Sequence, residues 1–238
     1  MTAERLGRWL ARSGIASRRQ ADRLLAQGRV TVDGRVAPAQ GGMIDPERVE
    51  VRLDGAVLRP QSAPKRYLLL NKPLGVVSTA HDPGGRRTVL DLVPDRRGLY
   101  PVGRLDADSR GLILLTDDGD LTLRLTHPRY QVEKTYRVGL RAPLSAAQLD
   151  ELRRGPVLAD GPTHPLAVRP LRGPSVLITI AEGRKRQIRR MVAAVSAQVV
   201  ELDRVAIAGL RLGTIAPGRA RELTPGEVRR LRAGAGLP

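Results

Sequence analysis

The stretch Gly103-Arg104-Leu105-Asp106-Ala107-Asp108-Ser109-Arg110-Gly111, running on into Leu112-Ile113-Leu114-Leu115-Thr116, decides how the chain is read. A glycine-bounded polar loop enters an unbroken apolar run of strand length. A strand with no polar alternation is one buried on both faces. Polar side chains at its mouth are therefore held at the rim of a core, where rigid elements support chemistry. Arg104 and Asp106 are close enough to share one site. Two plainer readings compete. Asp106, Asp108 and Gly111 match three positions of a calcium loop, but Arg110 and the apolar residues that follow do not, so that reading fails. A turn held by Asp side chains beside a surface ion pair is the other, and the loop alone does not exclude it.

Outward from this loop, Tyr67–Leu70, Val132–Val138 and Val176–Ile180 are further apolar segments of strand length bounded by turn residues. Helical patterns follow Asp120 and cover Leu144–Leu152 and Arg186–Val195. The mixture predicts an α+β domain built around a sheet over residues 67–232. Residues 59–66, with two prolines and little apolar material, read as a linker, and residues 233–238 as a disordered tail.

Residues 3–58 read as a smaller unit. Leu6, Trp9 and Leu10 recur at helical spacing. Ser17 and Gln20 fit a capping box for a second helix, which Gly28 closes. Val30-Thr31-Val32, the Asp33-Gly34 turn and Arg35-Val36 predict a hairpin, and Val49, Val51 and Leu53 a further strand. Arg12, Arg18, Arg19, Arg23 and Arg29 cluster on and around the two helices, with Arg19 and Arg23 on one face. With few acidic neighbours, a phosphate-binding face is favoured over a merely solvated one.

The formal net charge is +17, and of 41 basic side chains only Lys65, Lys72, Lys134 and Lys185 are lysine. Such a field attracts polyanions, and guanidinium groups grip phosphate with paired hydrogen bonds. A compositional bias towards arginine is the plain alternative. Phenylalanine is absent and aromatics total 2%, so rows of base-stacking aromatics are excluded. With no cysteine, disulfides, thiolate metal sites and cysteine catalysis are excluded as well. His81, His127 and His164 lie far apart, and no metal site is predicted. Neither a signal peptide nor a membrane span is evident, and a cytoplasmic protein without membrane contact is expected.

The N-terminal sequence Leu6-Gly-Arg-Trp-Leu-Ala-Arg-Ser-Gly-Ile-Ala-Ser-Arg-Arg-Gln-Ala, with Gly28-Arg-Val-Thr-Val-Asp-Gly34, resembles the α-L RNA-binding domain. Gly-Arg-Leu-Asp at 103–106, followed by a short polar stretch, glycine and an aliphatic run, resembles the defining motif of the pseudouridine synthases. More narrowly it is similar to the branch that modifies ribosomal RNA and carries an α-L domain. Leu70-Asn71-Lys72-Pro73-Leu74-Gly75-Val76, Glu133-Lys134-Thr135-Tyr136 and Glu182-Gly-Arg-Lys-Arg-Gln-Ile-Arg-Arg-Met191 match three further motifs in order. Ser109-Arg110 departs from the family's commoner Thr-Ser or Thr-Thr, which puts substrate grip in question.

The resemblance implies a largely antiparallel mixed sheet with flanking helices, and isomerisation of a uridine in ribosomal RNA, the large-subunit RNA before the small. It implies Asp106, Tyr136 and Arg189 as catalytic residues. Arg189 is the expected cation beside the Asp106 carboxylate, and Tyr136 lies against the uracil. Arg104, Arg110, Lys134, Arg184 and Arg186, with Arg18, Arg19 and Arg23 of the first unit, are expected to hold the RNA. An ionised carboxylate in a sheltered site needs a neighbouring cation. It then attacks the sugar carbon or removes a sugar proton, and the sequence does not choose between these. Isomerisation calls for no cofactor and no metal. The partner is ribosomal RNA or an assembly intermediate, and a monomer is the simpler expectation. A non-catalytic RNA-binding assembly factor is the main rival; a DNA-binding protein is disfavoured by the lack of a helix-turn-helix or zinc signature.

Overall fold

The computed structural model describes residues 3–16, 18–59 and 64–237. Ser17, the expected cap of the second helix, the side chain of Arg12 and residues 60–63 of the expected linker lie outside them. The chain divides into two compact units, Met1–Lys65 and Arg66–Pro238.

In the first unit β1 (Glu4–Arg5) leads into α1 (Leu6–Arg12) and α2 (Arg18–Ala26). There follow β2 (Val30–Val32), β3 (Arg35–Val36), β4 (Met43–Ile44), β5 (Val51–Leu53) and β6 (Ala56–Val57). Strands pair in the order β3-β2-β5-β6, and β1 pairs with β4. Asp33 and Gly34 both take positive φ, 48° and 78°, which is the turn a two-residue hairpin requires. Leu6, Trp9 and Leu10 pack on Ala21, Leu25, Val30 and Val51 to form the core. Trp9 supplies the aromatic bulk that a unit this small needs.

The second unit contains β7 (Tyr67–Lys72), β8 (Tyr100–Val102), β9 (Arg110–Thr116), α3 (Gly119–Thr126), β10 (Lys134–Leu140) and α4 (Ala146–Arg154). Next come β11 (Val157–Leu158), β12 (Gly161–Pro162), β13 (Pro165–Pro170), β14 (Ser175–Ile180) and α5 (Gln187–Ala194). The last are β15 (Val199–Ile207), β16 (Leu210–Arg211), β17 (Ala220–Glu222) and α6 (Pro225–Gly234). Among the described residues the sheet order is β13-β14-β10-β15-β9-β7-β17, with β8 beside β9 and β16 beside β15. Only the β15–β9 pair of this sheet is parallel. This is the largely antiparallel mixed sheet that the motifs implied.

β9 is buried on both faces, as its unbroken apolar run predicts. Leu112 and Leu114 pack with Leu69, Leu121, Leu125 and Leu231, whereas Ile113 and Leu115 join Leu68, Leu70, Val89 and Leu90. Each such side chain contributes roughly 1.5–3 kcal/mol on leaving water. The starts of α3, α4 and α6 are capped by side chains. Asp118 accepts from the Asp120 and Leu121 amides at 3.1 and 3.0 Å. Ser145 with Gln148 and Thr224 with Glu227 form capping boxes.

The tail expectation is corrected. α6 runs to Gly234, Ala235 is buried, and Leu237 packs against the core cluster around Leu231. Apolar contact outweighs the small, flexible composition of that segment. No described helix is long and apolar enough to cross a membrane.

Candidate active site

The loop before β9 is a braced turn. The Ser109 amide donates to the Asp106 carbonyl at 3.0 Å, closing a turn over 106–109. The Ser78 hydroxyl donates to the Leu105 carbonyl at 2.8 Å and accepts from the Leu105 amide at 3.0 Å. The Gly75 amide donates to the Ala107 carbonyl at 2.9 Å. The segment after β7 thus holds the loop from one side and β9 anchors it from the other. Asp106 is half-buried within this frame, and among the described residues its carboxylate accepts no hydrogen bond and forms no ion pair. A fixed, partly sheltered and unclaimed carboxylate is one poised for a ligand.

One cation that feels its charge was passed over by the motif reading. Lys72, at the end of β7, is 0% exposed. Its ammonium donates to the Ser109 and Pro73 carbonyls at 2.8 and 2.9 Å. Burial pulls its pKa down to about 8, against the opposing pull of the Asp108 and Asp106 charges. Arg186 also feels the Asp106 charge. Lysine directly after the buried Leu68–Asn71 run and before Pro73 was the available sequence signal.

Arg189 sits elsewhere than expected. Its Nη2 donates to the Asp108 carbonyl at 2.7 Å and its Nε lies 3.4 Å from the Asp108 carboxylate, so its partner is Asp108, not Asp106. The turn over 106–109 explains this, since it presents Asp108 to the start of α5. Arg186, which caps that helix in a left-handed conformation, donates to the same carboxylate at 2.8 Å. Burial alone raises the Asp108 pKa, but Arg186 and Arg189 outweigh it and hold the group below the usual carboxylate range. An open cleft of about 550 Å³ lies alongside, between Leu74, Asp108, Arg110, Arg189 and Val200.

Tyr136 is buried and belongs to the same apolar cluster as Leu105, the residue before Asp106. On the sheet it stands opposite Ile178 on one side and Arg204 on the other. Lys134, two residues earlier on β10, donates to the Val132 carbonyl at 2.9 Å, and burial with the nearby Arg204 charge lowers its pKa to about 8. Arg204 itself is 2% exposed, donates through Nε to the Leu112 carbonyl at 2.8 Å, and was not singled out from the sequence.

The other expected RNA-holding residues divide into two kinds. Arg110 is tied to Asp203 at 2.6 Å and Glu201 at 2.9 Å. Arg184 is tied to Glu182 at 2.9 Å and to the β11–β12 hairpin carbonyls. These two knit the fold. Arg104 is exposed with no carboxylate partner among the described residues, as are Arg18, Arg19 and Arg23 on α2 of the first unit. Arg29 pairs with Asp54 at 2.5 Å.

Residues 66–194 match the family model for RNA pseudouridylate synthase, and residues 4–40 match the S4 domain. The chain is 40% identical to the ribosomal large subunit pseudouridine synthase B of Bacillus subtilis, across 97% of this chain and 96% of that one. It is 39% identical to the ribosomal small subunit pseudouridine synthase A of Escherichia coli, across 94% and 98% respectively. A solved structure described as a pseudouridylate synthase superposes with a TM-score of 0.69 at 33% identity, covering 95% of this chain and 99% of that one. The likeness extends along nearly the full length of the chain, and the chain belongs to the RNA pseudouridylate synthase family.

Proposed function

We propose that this enzyme isomerises one uridine of large-subunit ribosomal RNA, with Asp106 acting on the ribose. The observation that carries the reading is the Asp106 carboxylate, half-buried, rigidly braced and unclaimed by any described partner. Lys72 and Arg186 both feel the Asp106 charge and place positive charge around the loop. Whether the carboxylate adds to the sugar carbon or takes a sugar proton, it must be ionised and next to the nucleotide. Tyr136, in the same cluster as Leu105, is the residue that lies against the freed uracil while the base turns. Arg189 steers through Asp108, holding the loop against α5. The target must leave its stack, at a cost of a few kcal/mol, and phosphate contacts to exposed arginines offset that cost.

The large-subunit assignment rests on the Bacillus subtilis relative, which matches slightly better than the small-subunit relative. The test is to incubate purified protein with large- and small-subunit rRNA transcripts and map pseudouridine chemically. One modified large-subunit uridine is expected, with Asp106→Ala lowering the rate at least about a thousandfold while still binding RNA. Equal product from both proteins would remove Asp106 from the mechanism. Product in the small-subunit transcript alone would reassign the substrate.

A further inference from the structure

We infer that Arg124 and Arg129, gathered on Tyr130, form a phosphate-binding site for the RNA strand flanking the target nucleotide. The inference rests on RNA being the substrate. Both guanidiniums lie over the Tyr130 ring, each with its central carbon 4.5 Å from the ring centroid. Arg129 also donates to the Tyr130 hydroxyl. A cation over an aromatic face is held in place without giving up its charge, and the N–H edge of each guanidinium remains free to donate.

The frame beneath is stiff. Leu121 and Leu125 anchor α3 in the core, and Tyr130 packs against the same cluster. His127 stands edge-on to Tyr130, and its Nδ1 accepts from the Arg129 amide at 3.2 Å. Gln131, at φ 50°, closes the turn by donating through its side chain to the Pro128 carbonyl at 2.9 Å.

Charge separates these two arginines from their neighbours. Arg110, Arg184, Arg186 and Arg190 are each paired with a carboxylate within 3 Å. A phosphate must compete with that partner to reach any of them. Arg124 and Arg129 have no carboxylate partner among the described residues. Two uncompensated charges on one ring repel each other, and an anion relieves that repulsion. Location supplies the ligand: a side chain at Gly103, three residues before Asp106, would meet the Thr126 methyl at 3.5 Å. The end of α3, from which the chain runs into the cluster, therefore lies beside the start of the Asp106 loop, and the strand flanking a nucleotide held there is the anion within reach.

The test compares full-length wild type with Arg124→Gln/Arg129→Gln, using a large-subunit rRNA transcript across a series of salt concentrations. Losing two phosphate contacts lowers the slope of log affinity against log salt by about 1.4–1.8 and raises KM about tenfold near 0.15 M salt, with the saturated rate within about twofold of wild type. Arg124→Lys/Arg129→Lys keeps the slope. Arg169→Gln/Arg172→Gln, which removes equal charge from the exposed β13–β14 hairpin, leaves both slope and KM as in wild type. A wild-type slope in the double glutamine variant, or an equal loss in the hairpin control, overturns the site. A wild type that binds but forms no pseudouridine instead overturns the function proposed above and leaves the binding comparison intact.

Discussion

Gly111 shows how closely the chemistry and the fold are joined at single residues. It is the second residue of β9, at φ 104°, and a methyl there would lie 2.4 Å from the Arg204 carbonyl oxygen and 2.7 Å from the Arg204 nitrogen. The obstacle is backbone of the parallel partner strand, which cannot swing aside. Gly111→Ala is therefore expected to destabilise the protein by at least about 3 kcal/mol, from strain and overlap together, as read by urea unfolding; a loss under about 1 kcal/mol would show that β15 yields. Lys72 makes a different prediction. Its folded pKa of about 8 lies below its ordinary 10.5, so burying the cation costs stability at neutral pH, and that cost lifts as pH rises from about 8 towards 10.5. Activity runs the other way, because above pH 8 Asp106 loses the neighbouring positive charge. The rate is expected to fall with an apparent pKa near 8, and Lys72→Met to lower the rate and abolish that limb. Lys134 titrates in the same range. Persistence of the limb in Lys72→Met and its loss in Lys134→Met would transfer the role to Lys134.

At the level of elements, β15 is the keystone of the sheet. It joins β10 antiparallel to β9 parallel. Across these three strands Asp203 accepts from Arg110 at 2.6 Å and from Arg137 at 2.7 Å. Burial raises the Asp203 pKa, but the two arginines outweigh it and hold it below the ordinary carboxylate value. Its contribution is therefore full above the ordinary pKa and is lost as pH falls through the depressed one. Because both arginines are partly exposed, Asp203→Ala is expected to cost about 2 kcal/mol, less than a fully buried pair. Calorimetry at pH 7 should show that loss, and at acid pH the difference from wild type should shrink; an unchanged difference would mean that packing, not charge, is responsible. The same strand marks the limit of legibility. β7, β9, β10 and β14 stand out as apolar runs because both faces or one long face is buried. In β15, Glu201, Asp203 and Arg204 break the run, since this strand carries ion pairs on one face and a buried guanidinium at the site. β13 begins and ends in proline, which an edge strand tolerates and a sequence reading discounts. Thr224-Pro225-Gly226-Glu227 held a capping box for α6 that Pro-Gly disguised as a turn. In the site, the polar loop entering a doubly buried strand was legible from the sequence pattern, whereas the roles of Asp106 and Tyr136 came only with the resemblance. The partner of Arg189 was not, because spacing cannot say which of two aspartates in one turn faces α5.

Over the whole molecule the net charge of +17 is unevenly committed. Many arginines around the Asp106 loop are paired with carboxylates, so any grip on RNA falls first to those left over. On α2 of the first unit, Arg18, Arg19 and Arg23 are exposed without carboxylate partners among the described residues, beside buried Ala21 and Leu25 that fix the helix. We propose that these three act on the RNA as diffuse, sequence-independent anchors rather than on the target base. Arg18→Gln/Arg19→Gln/Arg23→Gln is expected to lower the salt slope by about 2–3 and raise KM for a long rRNA transcript more than tenfold. A hairpin trimmed to the nucleotides around the mapped uridine gives the discriminating measurement. With an RNA too short to engage a second unit, the triple variant and wild type should share one KM and one rate. If the triple variant instead loses rate on the trimmed hairpin, the first unit takes part in presenting the nucleotide, and its arginines are more than anchors.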